Sequence, residues 1–320
     1  MVVGAPFAPW QFVVMTPASD ELPLAAEFPA ATREQWRKLV ENVLKGAPFD
    51  KTLVAKTYDG LAVEPLYGRV ADAQPVTGRA PGTPWSTVQR VDHPEPAAAN
   101  AEALNDLENG ATGLALVFAG AVGAYGYGLP ATEEALARAL AGVHLDAGIG
   151  VELDPGPGDR DTAARLAALV QRSGLAPSAT AIRFGFDPIG AAAAHGGSRL
   201  PWSGLAPMLN AGISDLSAHG FRGSFACADG RLVHNAGGSE AQELAYVLAV
   251  AVAYLRALEA SGGALDAARA MVYFRLSADA DQFLTIAKFR ALRKLWAAWS
   301  RPAGSNLCRP SSRRRPLGEC

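Results

Sequence analysis

The sequence has no uninterrupted apolar run of the length that a membrane-spanning helix needs. Such a helix takes about 20 apolar residues, and the longest apolar stretch here, near Leu244–Leu255, is rich in alanine and follows a helical period. The first 14 residues lack a basic start and a clear cleavage site, so they are not predicted to be a signal peptide. Neither membrane insertion nor secretion is therefore expected.

Cysteine and excess charge are scarce as well. The 320 residues include 3 cysteines, Cys227, Cys308 and Cys320, whose spacing matches no metal site. Their odd number and this spacing indicate a reduced, cytoplasmic setting without a metal. The formal net charge of -2 gives no reason to expect nucleic acid or an anionic membrane as a partner.

From about residue 95 onward the sequence alternates between amphipathic helices and short apolar strands. The strands are predicted at 114–118, 148–153, 181–186, 223–228 and 270–276. This alternation indicates an α/β protein whose parallel sheet is covered by helices. A closed (β/α)8 barrel of TIM type needs eight strands, whereas five follow residue 113, or six if region 181–222 contains another. An open doubly wound sheet and a barrel that stops early remain alternatives.

Capping residues predict where several helices begin and end. Thr32 opens a helix that runs to about Leu44 and is closed by Gly46. Thr132 caps a later helix with two acids in its first turn. Before the alternating region, strand-like pieces are predicted at 52–57 and 63–67.

The last stretch, 301–320, breaks the pattern with three prolines, five arginines and no apolar period. Such a composition is typical of a disordered tail. Replacement of the natural continuation, as a frameshift would cause, is the alternative interpretation.

Residues 126–131 formally match the dinucleotide fingerprint G-x-G-x-x-A, with Glu152 about twenty residues further on. In that fingerprint the first glycine follows a strand at once, but here it stands eight residues after Phe118. Glu133 and Glu134 would also oppose a pyrophosphate at the start of the following helix. A flexible glycine-rich loop between strand and helix is the preferred interpretation.

Three acids stand directly after predicted strands, where barrel enzymes place catalytic groups: Asp154, Asp187 and Asp229. Aspartate at such a position also commonly caps the next helix or turns the chain, and this interpretation is favoured. His234 likewise follows a strand, and a lone loop histidine is more often a surface residue than a base.

Several stretches, in their order and spacing, resemble the methylmalonyl-CoA mutase family. Together they cover most of residues 30–300. They read LAVEPLY at 61–67, PWSTVQ at 84–89, EALNDLENGATGL at 102–114, NAGGSEAQELAY at 235–246 and DQFLTIAKFRALR at 281–293.

The resemblance implies a domain organisation. In that family an N-terminal arm precedes a β/α barrel whose axis admits an acyl-CoA, and a C-terminal domain binds cobalamin. Carried over, this implies an arm and subunit-contact region at 1–92, an incomplete substrate barrel at 93–300 and a disordered or aberrant tail at 301–320. Many bacterial members pair a catalytic large chain with a similar small chain that has lost its active site.

The substrate motif indicates which of the two chains this one resembles. Catalytic chains read R-P-W-T-I-R-Q-Y where this chain has residues 83–90, and their arginines and tyrosine engage the substrate. The positions that differ here are Thr83, Val88 and Arg90. The positions carried over as substrate-binding candidates are Trp85, Ser86 and Gln89.

Two further family features are missing. The motif Y-H-M-Q-E-A-G, whose histidine hydrogen-bonds the thioester carbonyl, aligns with residues 231–237 and puts Leu232 at the histidine. The cobalt-ligating motif D-x-H-x-x-G is absent, because none of the five histidines has an aspartate two positions earlier. The resemblance therefore implies a chain without catalytic residues of its own and without bound cobalamin.

The function implied by the resemblance is that of a non-catalytic small subunit. Its partner would be the catalytic large chain of a heterodimeric isomerase. That complex interconverts methylmalonyl-CoA and succinyl-CoA, in propionate metabolism, with adenosylcobalamin as the radical source. Acyl-CoA is a further candidate ligand of this chain. Retained acyl-CoA isomerase activity and a truncated product without independent function are the alternatives.

Overall fold

The structure is a computed structural model that describes residues 28–29, 31–68, 70, 76, 78, 80, 82–156 and 161–299. The predicted tail at 301–320, with Cys308 and Cys320, lies outside the described residues, as do the first 14 residues. The chain divides after Arg69 into two units, and each is considered by itself.

The first unit contains two helices and one small antiparallel pair of strands. Its elements are α1 (Arg33–Leu44), α2 (Phe49–Leu53), β1 (Ala55–Lys56) and β2 (Ala62–Val63). The strand predicted at 52–57 is therefore too long, because its first residues end α2. None of the described residues of this unit is buried.

The predicted ends of α1 are confirmed. Thr32 and Gln35 form a reciprocal capping box: the Thr32 hydroxyl accepts from the Gln35 amide at 3.2 Å, and the Gln35 side chain accepts from the Thr32 amide at 2.9 Å. At the other end Lys45 and Gly46 take left-handed conformations, with φ of 48° and 91°. Left-handed residues satisfy the last helical carbonyls and stop the helix.

The second unit repeats a strand followed by one or more helices. Its elements are β3 (Val88–Val91), α3 (Pro96–Glu108), β4 (Gly113–Val117), α4 (Glu133–Ala139), β5 (Gly150–Asp154), α5 (Thr162–Arg172), β6 (Ala181–Arg183), α6 (Pro188–Ala194), α7 (Trp202–Ala218), β7 (Ala226–Asp229), α8 (Arg231–Asn235), α9 (Glu240–Ala260), α10 (Leu265–Ala270), β8 (Val272–Arg275) and α11 (Gln282–Trp299).

The strands of this unit are parallel and follow one another in chain order. β3, β4, β5 and β6 form one sheet, and β7 pairs with β8. A parallel bridge between Phe186 and Ala226 joins the two groups: the Phe186 amide donates to the Phe225 carbonyl and the Cys227 amide donates to the Phe186 carbonyl, each at 2.9 Å. The predicted α/β class with a parallel sheet is confirmed, but the described strands do not close a barrel.

The two faces of the sheet differ in a way that favours barrel-type curvature over a doubly wound sheet. One face is apolar and packs on the helices; it carries Leu114, Leu116, Val151, Leu153 and Ile182. The row on the opposite face pairs Ala115 with Glu152 and Glu152 with Arg183. A doubly wound sheet has helices on both faces and a reversal in strand order, and the described strands show neither.

β3 is a strand that the sequence analysis missed. Its residues pair in parallel with β4, from Val88 opposite Gly113 to Val91 opposite Leu116. Only Val91 of this strand is buried, so β3 has no apolar pattern to reveal it. The parallel sheet therefore begins before the predicted start of the barrel at residue 93.

Within the described residues, one helix is long and apolar enough to cross a membrane by length and composition alone, and it is α9. The sequence analysis named the same stretch, near Leu244–Leu255, as helical and expected no membrane span there. Half of its apolar window is buried inside the protein, with Val247, Ala251 and Tyr254 fully buried in the core. This packing is that of a core helix.

A buried ion pair joins α9 to α11. The Lys288 ammonium lies 2.5 Å from the Glu243 carboxylate, and both side chains are 0% exposed. The second oxygen of Glu243 accepts from the Ser277 amide at 2.8 Å. A side chain at Gly230 would lie 2.6 Å from Glu243, so the glycine makes room for the pair. Every polar atom of Glu243 is thus satisfied without water.

Breaking this pair from one side should destabilise the second unit strongly. In Lys288→Met the Glu243 charge stays buried without its partner, which should cost about 3–5 kcal/mol of unfolding free energy. Denaturant unfolding measures this value. The double variant Glu243→Gln/Lys288→Met should recover most of the loss, since glutamine still accepts from Ser277 and carries no charge.

The matched control is Arg172→Met, which breaks the half-exposed Arg172–Glu133 pair of 2.7 Å. An exposed pair is worth about 0–1 kcal/mol, so this variant should unfold nearly as the parent does. Equal losses in Lys288→Met and Arg172→Met would contradict the assigned role of the buried pair.

Candidate functional site

The carboxyl ends of β5, β7 and β8 bring five charged side chains together. We call this set the strand-end cluster; it consists of Glu152, Asp154, Asp229, Arg231 and Arg275. Asp154 and Asp229 are the last residues of β5 and β7, and both are buried. Because parallel strands end at the same edge, charges carried on different strands meet there.

Arg275 is the centre of the cluster. Its Nη1 lies 3.1 Å from Asp154 and 3.0 Å from Asp229, and its Nε donates to Glu152 at 2.8 Å. Its Nη2 also donates to the carbonyl oxygen of Leu153 at 3.2 Å. One guanidinium therefore bonds groups of β5 and β7 from the end of β8.

Arg231, the first residue of α8, supplies the second cation. Its Nε donates to Asp229 at 3.0 Å, and its Nη2 donates to Asp154 at 2.8 Å. Asp154 and Asp229 thus each contact both guanidiniums. Asp229 Oδ1 also accepts from the Arg231 amide at 3.0 Å, so this acid turns the chain before α8, as the sequence analysis favoured. Neither arginine was predicted as a site residue. For Arg275 the sequence did contain a signal, because a charged residue ends the apolar strand Val272–Arg275.

The electrostatics of the cluster favour the ionised form of Asp229. Burial by itself would raise the pKa of Asp229, but hydrogen bonds from Arg231 and the charge of Arg275 hold the pKa below its ordinary value. An arginine does not give up its proton near neutral pH. Asp229 and the two arginines are therefore not prepared to exchange a proton near neutral pH.

Asp187 lies beside the cluster in a different environment. Its Oδ1 accepts from the Gly190 amide at 2.8 Å, which caps α6, and from the Tyr254 hydroxyl. The interpretation of this acid as a helix cap is confirmed. Burial raises the pKa of Asp187 to about 6, although the bonds from Tyr254 and Gly190 oppose that rise.

A cavity of about 710 Å³ opens between α6, α7 and the ends of β5 to β7. Asp187 and three members of the strand-end cluster, Asp154, Asp229 and Arg275, line it. Apolar side chains such as Phe186 and Met208 form other parts of its wall. This volume falls in the range of small-molecule sites, about 300–1,000 Å³.

The three substrate-binding candidates from the sequence do not line this cavity. Trp85 is 78% exposed, and Ser86 and Gln89 are exposed on and before β3. None of their described contacts bears on substrate binding, so the substrate-binding role of these three residues stays a prediction.

The four positions that depart from the catalytic motif also lie apart from the cavity. Thr83 and Val88 are exposed, and Leu232 is partly buried in α8. Arg90 donates to Asp92 at 2.6 Å, and its guanidinium lies 5.8 Å from the centre of the Tyr125 ring.

Tyr125 connects two of these regions. Its hydroxyl accepts from Asn235 of α8 at 3.1 Å, while its ring faces Arg90 at the end of β3. The structure therefore brings Arg90 near α8, which carries Leu232 and His234. His234 is partly buried within α8 rather than placed on a loop.

The glycine-rich segment after β4 is a loop that folds back on itself, so that its end pairs with the end of β4. Phe118 bridges to Leu129, and the Leu129 amide donates to the Val117 carbonyl at 2.8 Å. Gly128 has a φ of 125°, and a side chain there would lie 2.5 Å from the Ala119 nitrogen. Gly126 stands far from the end of β4, so the segment does not form the turn of a dinucleotide site.

Replacing Asp187 with asparagine should change how stability depends on pH. The folded protein holds the Asp187 proton up to a pKa of about 6, whereas an unfolded aspartate loses it near 3.8. The favourable contribution of the protonated acid is therefore complete below the unfolded pKa and is lost as pH rises towards 6.

Asparagine can still accept from Gly190 and does not titrate. Between pH 4 and pH 7 the parent should lose roughly 2–3 kcal/mol of unfolding free energy relative to Asp187→Asn. Denaturant unfolding at a series of pH values measures the difference. Asp146→Asn, an exposed acid elsewhere, should keep the parent's profile; parallel curves for the parent and Asp187→Asn would contradict the assignment.

The fold and the site define an α/β protein with parallel strands whose strand-end edge is occupied by paired charges. A family model described as methylmalonyl-CoA mutase matches residues 75–306, and the chain belongs to the methylmalonyl-CoA mutase family. The resemblance found in the sequence is thereby confirmed.

Several curated relatives carry the name methylmalonyl-CoA mutase small subunit. The one from Streptomyces virginiae is 39% identical over 89% of this chain and 47% of its own length. The one from Propionibacterium freudenreichii subsp. shermanii is 32% identical over 88% of this chain and 46% of its own, and the one from Porphyromonas gingivalis is 28% identical over 88% and 46%. The chain spans about half the length of these relatives.

Proposed function

We propose that this chain is a non-catalytic supporting subunit of a cytoplasmic methylmalonyl-CoA mutase. It pairs with a catalytic large chain, which interconverts methylmalonyl-CoA and succinyl-CoA. The observation that carries the proposal is the strand-end cluster. Where barrel enzymes keep reactive groups, this chain has two arginines and three carboxylates that neutralise one another.

Paired charges of this kind stabilise a fold better than they perform chemistry. A general acid or base needs a pKa near the working pH and contact with the substrate. The acids that bond both Arg231 and Arg275 are buried and paired with guanidiniums. Removing an arginine from them would leave a buried charge unpaired, which costs several kcal/mol.

The departures from the catalytic motif support the same role. Leu232 cannot donate the hydrogen bond that the family's histidine gives to the thioester carbonyl, and loss of one such donor costs about 10²–10³ in rate. Arg90, in place of the substrate-contacting tyrosine, is engaged with Asp92 and Tyr125.

The residues present do not fit a cobalamin ligand set. His195 and His219 stand at the ends of α6 and α7, where each Nδ1 lies within 3.0 Å of a carbonyl oxygen of its own helix. The Nδ1 of His93 accepts from the Glu95 amide at 3.0 Å. None has the preceding aspartate of the cobalt-ligating motif. In the proposed complex, adenosylcobalamin is bound by the catalytic chain, where it supplies the radical.

The first unit offers a surface for the partner chain. Among its described residues none is buried, and its exposed apolar side chains include Leu39, Val43, Tyr58 and Tyr67. A concentration of exposed apolar groups is typical of a protein interaction site. We infer that the large chain covers this surface.

The proposal is tested by mixing the purified chain with the large mutase chain of the same organism. Size-exclusion chromatography should give a one-to-one complex, and mutase turnover with adenosylcobalamin should require the large chain. Turnover by this chain alone would establish the alternative of a retained isomerase. Failure to associate, with an insoluble or poorly folded chain, would support a product without independent function.

Val43→Lys should weaken this association. Val43 is 77% exposed on α1, and a charge there would have to be desolvated in the complex, so the dissociation constant should rise at least about tenfold. Isothermal titration with the large chain measures the change. Asn42→Lys adds the same charge at the adjacent exposed position and serves as the control; equal effects would argue against an apolar interface at Val43.

A further inference from the structure

Two glycines, Gly185 and Gly212, line the cavity beside the strand-end cluster. Gly185 has a φ of 71°, and a side chain there would lie 2.3 Å from the Leu153 carbonyl oxygen. On the opposite wall, a side chain at Gly212 of α7 would lie 3.4 Å from the Phe186 ring. Both glycines line the cavity, and at each the wall is packed closely against its neighbours.

The charge of the cavity lining is negative. The acids that line it are Asp154, Asp187, Asp215 and Asp229, and the arginines are Arg199 and Arg275. Four carboxylates against two guanidiniums give a formal balance of -2 with His195 neutral. Behind the wall, Glu152 shares the charge of Arg275 and Arg231 pairs with Asp154 and Asp229, so counting these two groups leaves the balance at -2. Arg275 therefore has little attraction left for a ligand anion.

Asp187 is the acid in this lining that has no cationic partner. Its Oδ1 accepts from Tyr254 and Gly190, while no hydrogen bond from a described residue reaches its Oδ2. The side chain is largely shielded from solvent, and the surrounding wall includes Met208 and Leu209. An ionised carboxylate in such a place is stabilised by a cation brought to it.

We propose that this cavity binds a small organic cation, an alkyl ammonium or guanidinium. The charged head pairs with Oδ2 of Asp187, and the apolar body lies against Met208 and Leu209. The same lining disfavours carboxylates and phosphates, because an anion would be desolvated next to uncompensated negative charge. The proposal does not depend on the subunit role inferred above.

The chain alone, at full length, is sufficient for the test. Isothermal titration with hexylamine should give saturable one-to-one binding. Hexanoate, of the same length and opposite charge, should bind at least about tenfold more weakly, and hexanol should lie between them. Equal affinity for the amine and the carboxylate would overturn the proposal, as would absence of hexylamine binding.

Two variants place the charged head. Asp187→Asn should weaken hexylamine at least about tenfold, the loss expected when one partner of a buried charge pair is removed, while Asp146→Asn, an exposed acid outside the lining, should leave it unchanged. If Asp187→Asn fails to fold, Met208→Lys tests the site instead. The ammonium of the introduced lysine should occupy the cavity and abolish hexylamine binding. Unchanged affinity in a folded Asp187→Asn or in Met208→Lys would refute the assigned site.

Discussion

The guanidinium of Arg275 is the contact on which the carboxyl edge of the sheet depends. It stands at the end of β8 and bonds carboxylates carried by β7 and β5, 46 and 123 residues earlier in the chain. β5 and β8 are not hydrogen-bonded neighbours, so these bonds join strands that the backbone ladder leaves apart. Arg275 therefore links the ends of β5 and β8 through side-chain hydrogen bonds.

The same contacts limit what the interior can do. Desolvating each charge separately would cost several kcal/mol, and the cluster is tolerable because every carboxylate has a guanidinium in contact. The paired charges therefore hold the ends of β5, β7 and β8 together. Asp187 lies outside this balance, which is why its pKa is raised while that of Asp229 is lowered, although both acids stand at strand ends.

Local features of the fold could be predicted from the sequence, whereas contacts between distant residues could not. The Thr32 capping box and the apolar strands around Leu114 and Val151 follow from spacing and burial pattern over a few residues. β3 escaped prediction because Gln89 and Arg90 are polar and exposed, and only pairing with β4 makes the segment a strand. α6 escaped because a seven-residue helix beginning at a proline reads as a turn.

The candidate site shows the same division. The three acids at strand ends could be located in the sequence, but whether each one caps, pairs or stays free depends on Arg231 and Arg275, which no local pattern connects to them. Position alone therefore could not separate Asp187 from Asp154 and Asp229. The family motifs gave complementary information, since they identify positions such as Leu232 that have lost a function but say nothing of what occupies the interior instead.

The two units place their apolar groups in opposite ways. In the second unit the sheet and helices bury one continuous core, and the polar face of the sheet is neutralised from within. In the first, no described side chain is buried, and so short a segment cannot enclose a core of its own. Helix α1 is therefore held by its cap and by its contact with Phe49. Burying its exposed apolar residues is the main source of further stabilisation left to this unit. Exposed apolar groups concentrated in this way are typical of a protein interaction site.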